Sequence, residues 1–250
     1  MFMSGKVRQL SGQVQTVLAT VAIGVFGTTL PAVAGTFNVS PTEAFDNWTR
    51  EASPWRDSVN EDAWTVSGSQ LQYTHNVGQS LISDFSLSGD FNFTSRIQSL
   101  DGDDDRFGLL FGYQDSQNNY RFSWEGDFTN GGVSEADGSR GLSLIREVNG
   151  TSASLFNLSS NWLRNTPYDI TVSRVDDAIG FEVKDLSGSI VASTSVVDTT
   201  FTEGKLGLWN TSQRTGYSNI EVDVGSVPEP TGLLAIAIVG VGLCLRRRAT

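Results

Sequence analysis

Cysteine and histidine are nearly missing from this sequence, with one of each in 250 residues. A single Cys permits no disulfide framework within the chain and no cysteine-based zinc cluster. A single His removes paired-His metal sites, and His75 stands without the partners that a nucleophilic triad requires. Beside Tyr73 it reads as an ordinary half-exposed strand residue. Basic residues are scarce too, 17 Lys and Arg against 28 Asp and Glu. No stretch between the two ends of the chain shows a helical period. What is plentiful is glycine, 26 residues, and aromatics, with 14 Phe, 6 Trp and 5 Tyr. That mixture favours many turns and aromatic-rich strands. A hydrophobic content of 38% is enough to bury a core, which excludes intrinsic disorder. The chemistry left open is that of carboxylates, amides and aromatic faces.

The two ends read as targeting segments. Lys6 and Arg8 precede an apolar run at residues 17–30, and Ala32-Val33-Ala34 supplies small residues for cleavage. Residues 1–34 are therefore expected to be a secretory signal peptide, with a mature protein starting near Gly35 outside the cytoplasm. The run is shorter than the ~20 residues of a spanning helix, and a retained N-terminal anchor is the alternative. At the other end, Pro228-Glu229-Pro230 precedes an uncharged apolar stretch at residues 232–245, followed by Arg246-Arg247-Arg248. As a helix this stretch rises only about 21 Å, a marginal transmembrane span whose arginines would stay on the cytoplasmic side.

Pro228, Glu229 and Pro230, the apolar stretch and the cluster Arg246, Arg247 and Arg248 together resemble the PEP-CTERM sorting signal of Gram-negative bacteria. The resemblance covers residues 226–250. It implies recognition by an exosortase, cleavage near the Pro-Glu-Pro core, transient anchoring in the inner membrane, and delivery to the cell surface or extracellular matrix. In that family the signal often accompanies exopolysaccharide production. Cys244 lies within this segment, so the mature domain would be cysteine-free. A plain C-terminal anchor is the other reading.

Residues 35–225 remain as one domain. They keep 12 of the 17 basic and 27 of the 28 acidic residues, a net charge of −15. Such a surface repels nucleic acid and anionic lipid and attracts divalent cations. Apolar and polar residues alternate over several short runs: Phe91, Phe93 and Ile97; Tyr120, Phe122 and Trp124 against Arg121, Ser123 and Glu125; Tyr168, Ile170 and Val172; Phe181 and Val183. Period-two alternation means half-buried antiparallel strands. Turn signals separate the runs at Ser88-Gly89-Asp90, residues 114–119, Asn130-Gly131-Gly132, Asn149-Gly150 and Ser187-Gly188. About a dozen strands fit an all-β, two-sheet antiparallel sandwich of jelly-roll type. Two windows break the alternation. Residues 107–113 and 204–209 are nearly all apolar, as central strands covered on both sides would be, and their glycines mark close approaches.

These windows and their flanks, Asp103-Asp104-Asp105 before the first and Ser212-Gln213 after the second, resemble the C-terminal lectin-like domain of thrombospondins. The resemblance spans roughly residues 90–222 and implies a jelly roll of concanavalin or laminin-G type with a local calcium site. The calcium-wire repeats and growth-factor modules of thrombospondins are absent, the middle segment is shorter and the terminal cysteine is missing. Receptor partners therefore do not carry over.

Asp101, Asp103, Asp104 and Asp105 place four carboxylates within five residues, which repel one another unless a cation sits among them. Calcium, which takes six to eight hard oxygens, suits such a loop. Asp115, with Asn118 and Asn119, is expected to add oxygens across a hairpin. A solvated acidic turn is the alternative, and the spacing is not that of an EF-hand. A carboxylate-based glycosidase or lyase would need two acids flanking a scissile bond. Glu135 with Asp137, and Glu125 with Asp127, offer such pairs, but each lacks the next acid on the same strand face. Trp48, Trp55, Trp64, Trp162 and Trp209 outnumber what one sandwich core needs; most are expected to be core, and any with an exposed face would suit stacking on a sugar ring. The sequence thus points to a surface-sorted, calcium-binding, non-catalytic domain for adhesion or for binding exopolysaccharide or a surface glycan. A structural matrix protein and a glycan-active enzyme are the alternatives.

Overall fold

The computed structural model describes residues 35–52, 61–102, 104–126 and 138–225. The alternating runs become fifteen strands among these residues: β1 (Gly35–Val39), β2 (Thr49–Ala52), β3 (Trp64–Ser67), β4 (Gln70–Tyr73), β5 (Gly78–Ser88), β6 (Phe91–Ser99), β7 (Arg106–Asp115), β8 (Asn118–Glu125), β9 (Leu142–Val148), β10 (Thr151–Leu158), β11 (Pro167–Val175), β12 (Ala178–Asp185), β13 (Ile190–Val197), β14 (Glu203–Thr211) and β15 (Thr215–Val224). One sheet, A, runs β13-β12-β11-β6-β15-β4-β3, with β1 also paired to β15. The other, B, runs β10-β9-β8-β7-β14-β5-β2. Neighbouring strands are antiparallel, as at β7 with β8 and at β6 with β11.

The sheets pack face to face through aromatic contacts. Phe122 of β8 meets Phe181 of β12 at 5.0 Å between ring centroids, and Trp124 meets Tyr168 of β11 at 4.8 Å. Edge and tilted geometries of this kind are favoured by the ring quadrupoles. The turn signals fall where expected. Asn149 (φ 49°) and Gly150 (φ 74°) form the two-residue link between β9 and β10, because both positions need the left-handed region. The signal at Asn130 to Gly132 lies outside the described residues.

The two apolar windows become β7 and β14, paired side by side in the middle of sheet B. Gly108 answers a close approach. A Cβ there would stand 1.8 Å from the Phe122 carbonyl oxygen and 2.4 Å from the Trp209 indole nitrogen. That indole crosses over the glycine to donate to Phe122 O at 2.9 Å.

Two expectations need correction. Helix α1 (Pro41–Asn47) interrupts the β pattern; Ser40 caps it, its Oγ accepting from the Glu43 amide at 3.1 Å, and Pro41 opens the first turn. The Ser-Pro-Thr-Glu tetrapeptide carried that signal, but seven residues are too few to show a period. Strand β8 is not half-exposed either: Arg121, Ser123 and Glu125 are as buried as the aromatic residues between them. No helix among the described residues is long and apolar enough to cross a membrane. The C-terminal stretch expected to do so lies outside them.

Candidate functional site

Strands β6 and β7 are consecutive in sequence but belong to opposite sheets, so the acidic segment between them must cross one end of the sandwich. Two more crossings meet it there: the turn from β14 to β15 and the segment from β10 to β11. The Leu100 amide donates to Arg214 O at 2.8 Å, and the Asn165 amide to Ser99 O at 3.2 Å. The Gly126 amide, just past β8, is shared between the carbonyls of Asp104 and Asp105, both at 3.3 Å. The three crossings and the end of β8 are thus stitched together by backbone hydrogen bonds.

Asp101, Asp104 and Asp105 all belong to this end, and Asp105 is buried. Ser99 Oγ donates to the Asp101 carbonyl at 2.7 Å, and the Asp101 carboxylate accepts from Gln213 Nε2. Gln213 is fully buried, and Nε2 also donates to Ser99 Oγ at 3.0 Å. Its Oε1 has no partner. An amide oxygen can only accept, so this buried atom calls for a donor or a cation. Asn210 Oδ1, Thr211 Oγ1 and Ser212 Oγ, on the three residues leading to Gln213, are likewise buried and unpartnered.

The segment from β10 to β11 adds Trp162. Its ring lies on Phe107, centroids 5.7 Å apart and nearly parallel, and its benzo edge presses on Gly126, where a Cβ would be 2.6 Å from the ring. The indole N–H has no partner, and neither has Asn161 Oδ1 on the preceding residue. Arg164 reaches over Gly102, and Leu163 is exposed. One end of the sandwich therefore gathers carboxylates, orphaned oxygens and an orphaned N–H. No local pattern marks this set, since Gln213 and Asp101 are 112 residues apart.

Asp115 is not part of it. It sits at the far end of β7, nine residues from Arg106, on the order of 30 Å along the strand. There its carboxylate accepts from the Gln117 amide at 2.8 Å and from Asn118 Nδ2 at 2.9 Å, closing the β7–β8 turn. Asn118 and Asn119 stay with it. Chain proximity misled here because an extended strand separates its two ends. Asp103 lies outside the described residues, as do Pro228, Glu229, Pro230, Arg246, Arg247 and Arg248. Among the described residues no group of three or more His, Cys, Asp or Glu side chains is arranged to hold a metal.

Of the acid pairs considered for catalysis, Asp127, Glu135 and Asp137 lie outside the described residues. Glu125 is buried on the outward face of sheet B and fully engaged. It accepts from Arg106 Nη2 and from the Gly141 amide at 2.8 Å each, and from Arg140 Nη1 at 2.6 Å. Burial pushes its carboxyl above the usual range against the pull of the Gly141 amide and the two guanidiniums. Trp48, Trp64, Trp162 and Trp209 are all buried, so none of these four offers a free face to a sugar ring; Trp55 lies outside the described residues. His75 is half-exposed just after β4, its Nδ1 3.2 Å from Thr74 Oγ1.

Neither a family model nor a curated protein matches the sequence. The fold, in contrast, has many counterparts among solved structures. A carbohydrate-binding module, CBM66 from Bacillus subtilis, superposes with a TM-score of 0.53 at 18% identity, covering 71% of this chain and 95% of the module. Peanut lectin does so at 0.54 and 12% identity over 78% of this chain and all 100% of its own. The exoplasmic/lumenal domain of VIP36, in its Ca2+/Man3GlcNAc-bound form, gives 0.52 at 8% identity, covering 74% and 86%. At such identities the likeness is one of architecture: the chain shares the two-sheet antiparallel β-sandwich fold of this module and these lectin domains.

Proposed function

We propose that this chain is an exported, non-catalytic glycan-binding sandwich whose binding end is organised by calcium. The observation that carries the reading is the set of unpartnered polar atoms at the crossover end, Gln213 Oε1, Asn161 Oδ1 and the Trp162 N–H. All three are buried, so sugar hydroxyls, which both donate and accept, would answer them once this end of the sandwich opens. The residue types of the acidic segment also suit calcium, which would have to draw together carboxylates that do not converge in the structure. Asp101, Asp104 and Asp105, with Asp103 beside them in sequence, supply carboxylates, and Gln213 adds a neutral hard oxygen of the sort such shells include. The names of the structural counterparts, a carbohydrate-binding module and a domain bound to calcium and a mannose glycan, support the same class of ligand. Glu125 is committed to two arginines, which argues against its use as a glycosidic acid. Export rests on residues 1–34 and on the Pro-Glu-Pro, apolar and Arg segments at 226–250. It takes the protein to the cell surface or matrix by way of an exosortase-type processing enzyme and a transient inner-membrane anchor, where exopolysaccharide or a surface glycan is the partner.

A glycan array probed with the full chain, in millimolar calcium and in EDTA, tests both parts. Binding that appears with calcium, fades in EDTA and is lost in Asp101→Asn/Asp105→Asn is the expected result. Thermal melts of the same proteins should rise with calcium only in the wild type, by about 1.4 kcal/mol at ten times the dissociation constant. A folded protein that retains no glycan under either condition would overturn the reading, and glycan binding indifferent to EDTA would remove calcium from it.

A further inference from the structure

The free edges of the two sheets are not alike. Edge strands of soluble proteins are normally kept short, bulged, charged or interrupted by Pro, because their unpaired N–H and C=O groups otherwise recruit another strand. Here β2 and β3 have four residues each, and β10 is broken mid-strand by a register shift between Ser154 and Phe156. Strand β13 has none of these guards along most of its length. Its sequence, IVASTSVV, contains no charge, Pro or Gly. Its register with β12 is regular from Val197 to Ala192, and the one shift lies at the Ile190 end.

The edge is also flanked by exposed apolar side chains at both ends. Leu186, Ile190 and Val191 stand at one; Val175 and Val197, aligned across Ala178, stand at the other, with Val197 80% exposed. We propose that this edge is a homodimer interface: β13 pairs antiparallel with β13 of a second copy about a two-fold axis, Thr194 opposite Thr194. A two-fold perpendicular to the sheet requires that paired residues point to the same face, so residue numbers across the seam must share parity. With Thr194 at the axis, Ala192 meets Val196 on the core side. On the outer side Ser193 meets Ser195, while Val197 and the bulged Ile190–Val191 segment stand at opposite ends of the seam. Small polar residues meet small polar residues and apolar residues meet apolar ones. The two-fold also brings the Leu186–Ile190 end of one copy onto the Val175–Val197 end of the other. This self-complementarity selects a second copy over an unrelated strand. The closed pair continues sheet A through both molecules and leaves no free β13 edge for further growth.

Sedimentation velocity of the full chain over a concentration series should show a reversible monomer–dimer equilibrium. Val197→Lys and Ser195→Lys, at exposed positions, should weaken it roughly tenfold or more while leaving the melt unchanged. In a Cys244→Ser background, Thr194→Cys should form an interchain disulfide under mild oxidation, since directly opposed Cβ atoms lie about 4.5–5.5 Å apart. Thr65→Cys on the opposite edge strand should not. A chain monomeric throughout, association untouched by both lysines, absence of the Thr194 cross-link, or open-ended fibres in place of a dimer would each overturn the proposal.

Discussion

Sheets A and B each carry a cross-strand Arg–carboxylate pair with the same separation and opposite surroundings. On sheet A, Arg96 of β6 faces Asp169 of β11, with both nitrogen–oxygen contacts at 2.8 Å and side chains 36% and 32% exposed. On sheet B, Arg106 of β7 faces Glu125 of β8 at 2.8 Å, and both side chains are fully buried. The first decorates a solvent face and loses most of its Coulomb energy to water. The second is part of the layer itself. Around it, Arg106 also donates to Ser123 Oγ at 2.9 Å and Ser139 O at 2.9 Å, while Arg121 pairs with Glu147 one strand along. Equal geometry is therefore a poor guide to energetic weight. What separates the pairs is what each group would meet if its partner left: water in one case, a dry interior in the other. A third pair lies between them. Asp198 is buried and Arg146 is about a third exposed, at 2.7 Å.

Glu125→Ala should produce the largest effect, a loss of about 3–5 kcal/mol in urea unfolding, because Arg106 is left buried without its counter-charge. The double variant Arg106→Met/Glu125→Leu should recover most of that loss, since an apolar pair of similar volume needs no desolvation; failure to recover would mean that the hydrogen-bond network, not charge burial, sets the cost. Asp198→Asn should cost about 1–2 kcal/mol near neutral pH, as expected for hydrogen bonds to a charged group. Burial pushes the Asp198 carboxyl up, but hydrogen bonds from Tyr120 and Thr200 and the Arg146 charge more than offset this, so it sits below the usual carboxylate range. A lowered folded-state pKa stabilises above the unfolded value near 3.9, and that contribution is lost as pH falls through the folded value. The wild-type and Asn curves of stability against pH should therefore converge in acid and separate above about pH 4. Asp169→Asn, on the exposed pair, should change stability by less than about 1 kcal/mol, with the difference shrinking as salt is added. A large, salt-independent loss there would erase the distinction between the sheets.

Much of the fold was legible in local pattern. Alternation in β6, β11 and β12 marked one buried face because the side-chain period of a strand is two, and the glycine-bearing apolar windows announced β7 and β14 as central. Turn chemistry placed Asn149-Gly150 and Ser187-Gly188 correctly, since positive φ restricts the residues that can stand there. The same pattern misled at β8. Arg121, Ser123 and Glu125 read as a solvent face, yet whether a polar row is wet depends on what lies across it, which alternation does not encode.

The candidate site divides in the same way. Asp101 to Asp105 stood out as a run of like charge, a property of adjacent residues. Asp115 looked equally available, but ten residues of extended chain carry it to the other end of the sandwich and into a turn that saturates it. The sequence by itself determined strand content, turn positions, the central strands and the acidic character of one crossing, because each follows from neighbours along the chain. Only the tertiary structure decided that Gln213, Trp162 and Asn161 stand at that crossing with unpartnered polar atoms, and that one Arg–carboxylate pair is buried while its counterpart is wet. Burial and hydrogen-bond satisfaction are set by contacts between residues apart in sequence, 19 positions for Arg106 and Glu125 and 112 for Gln213 and Asp101, and those contacts exist only once the strands have assembled.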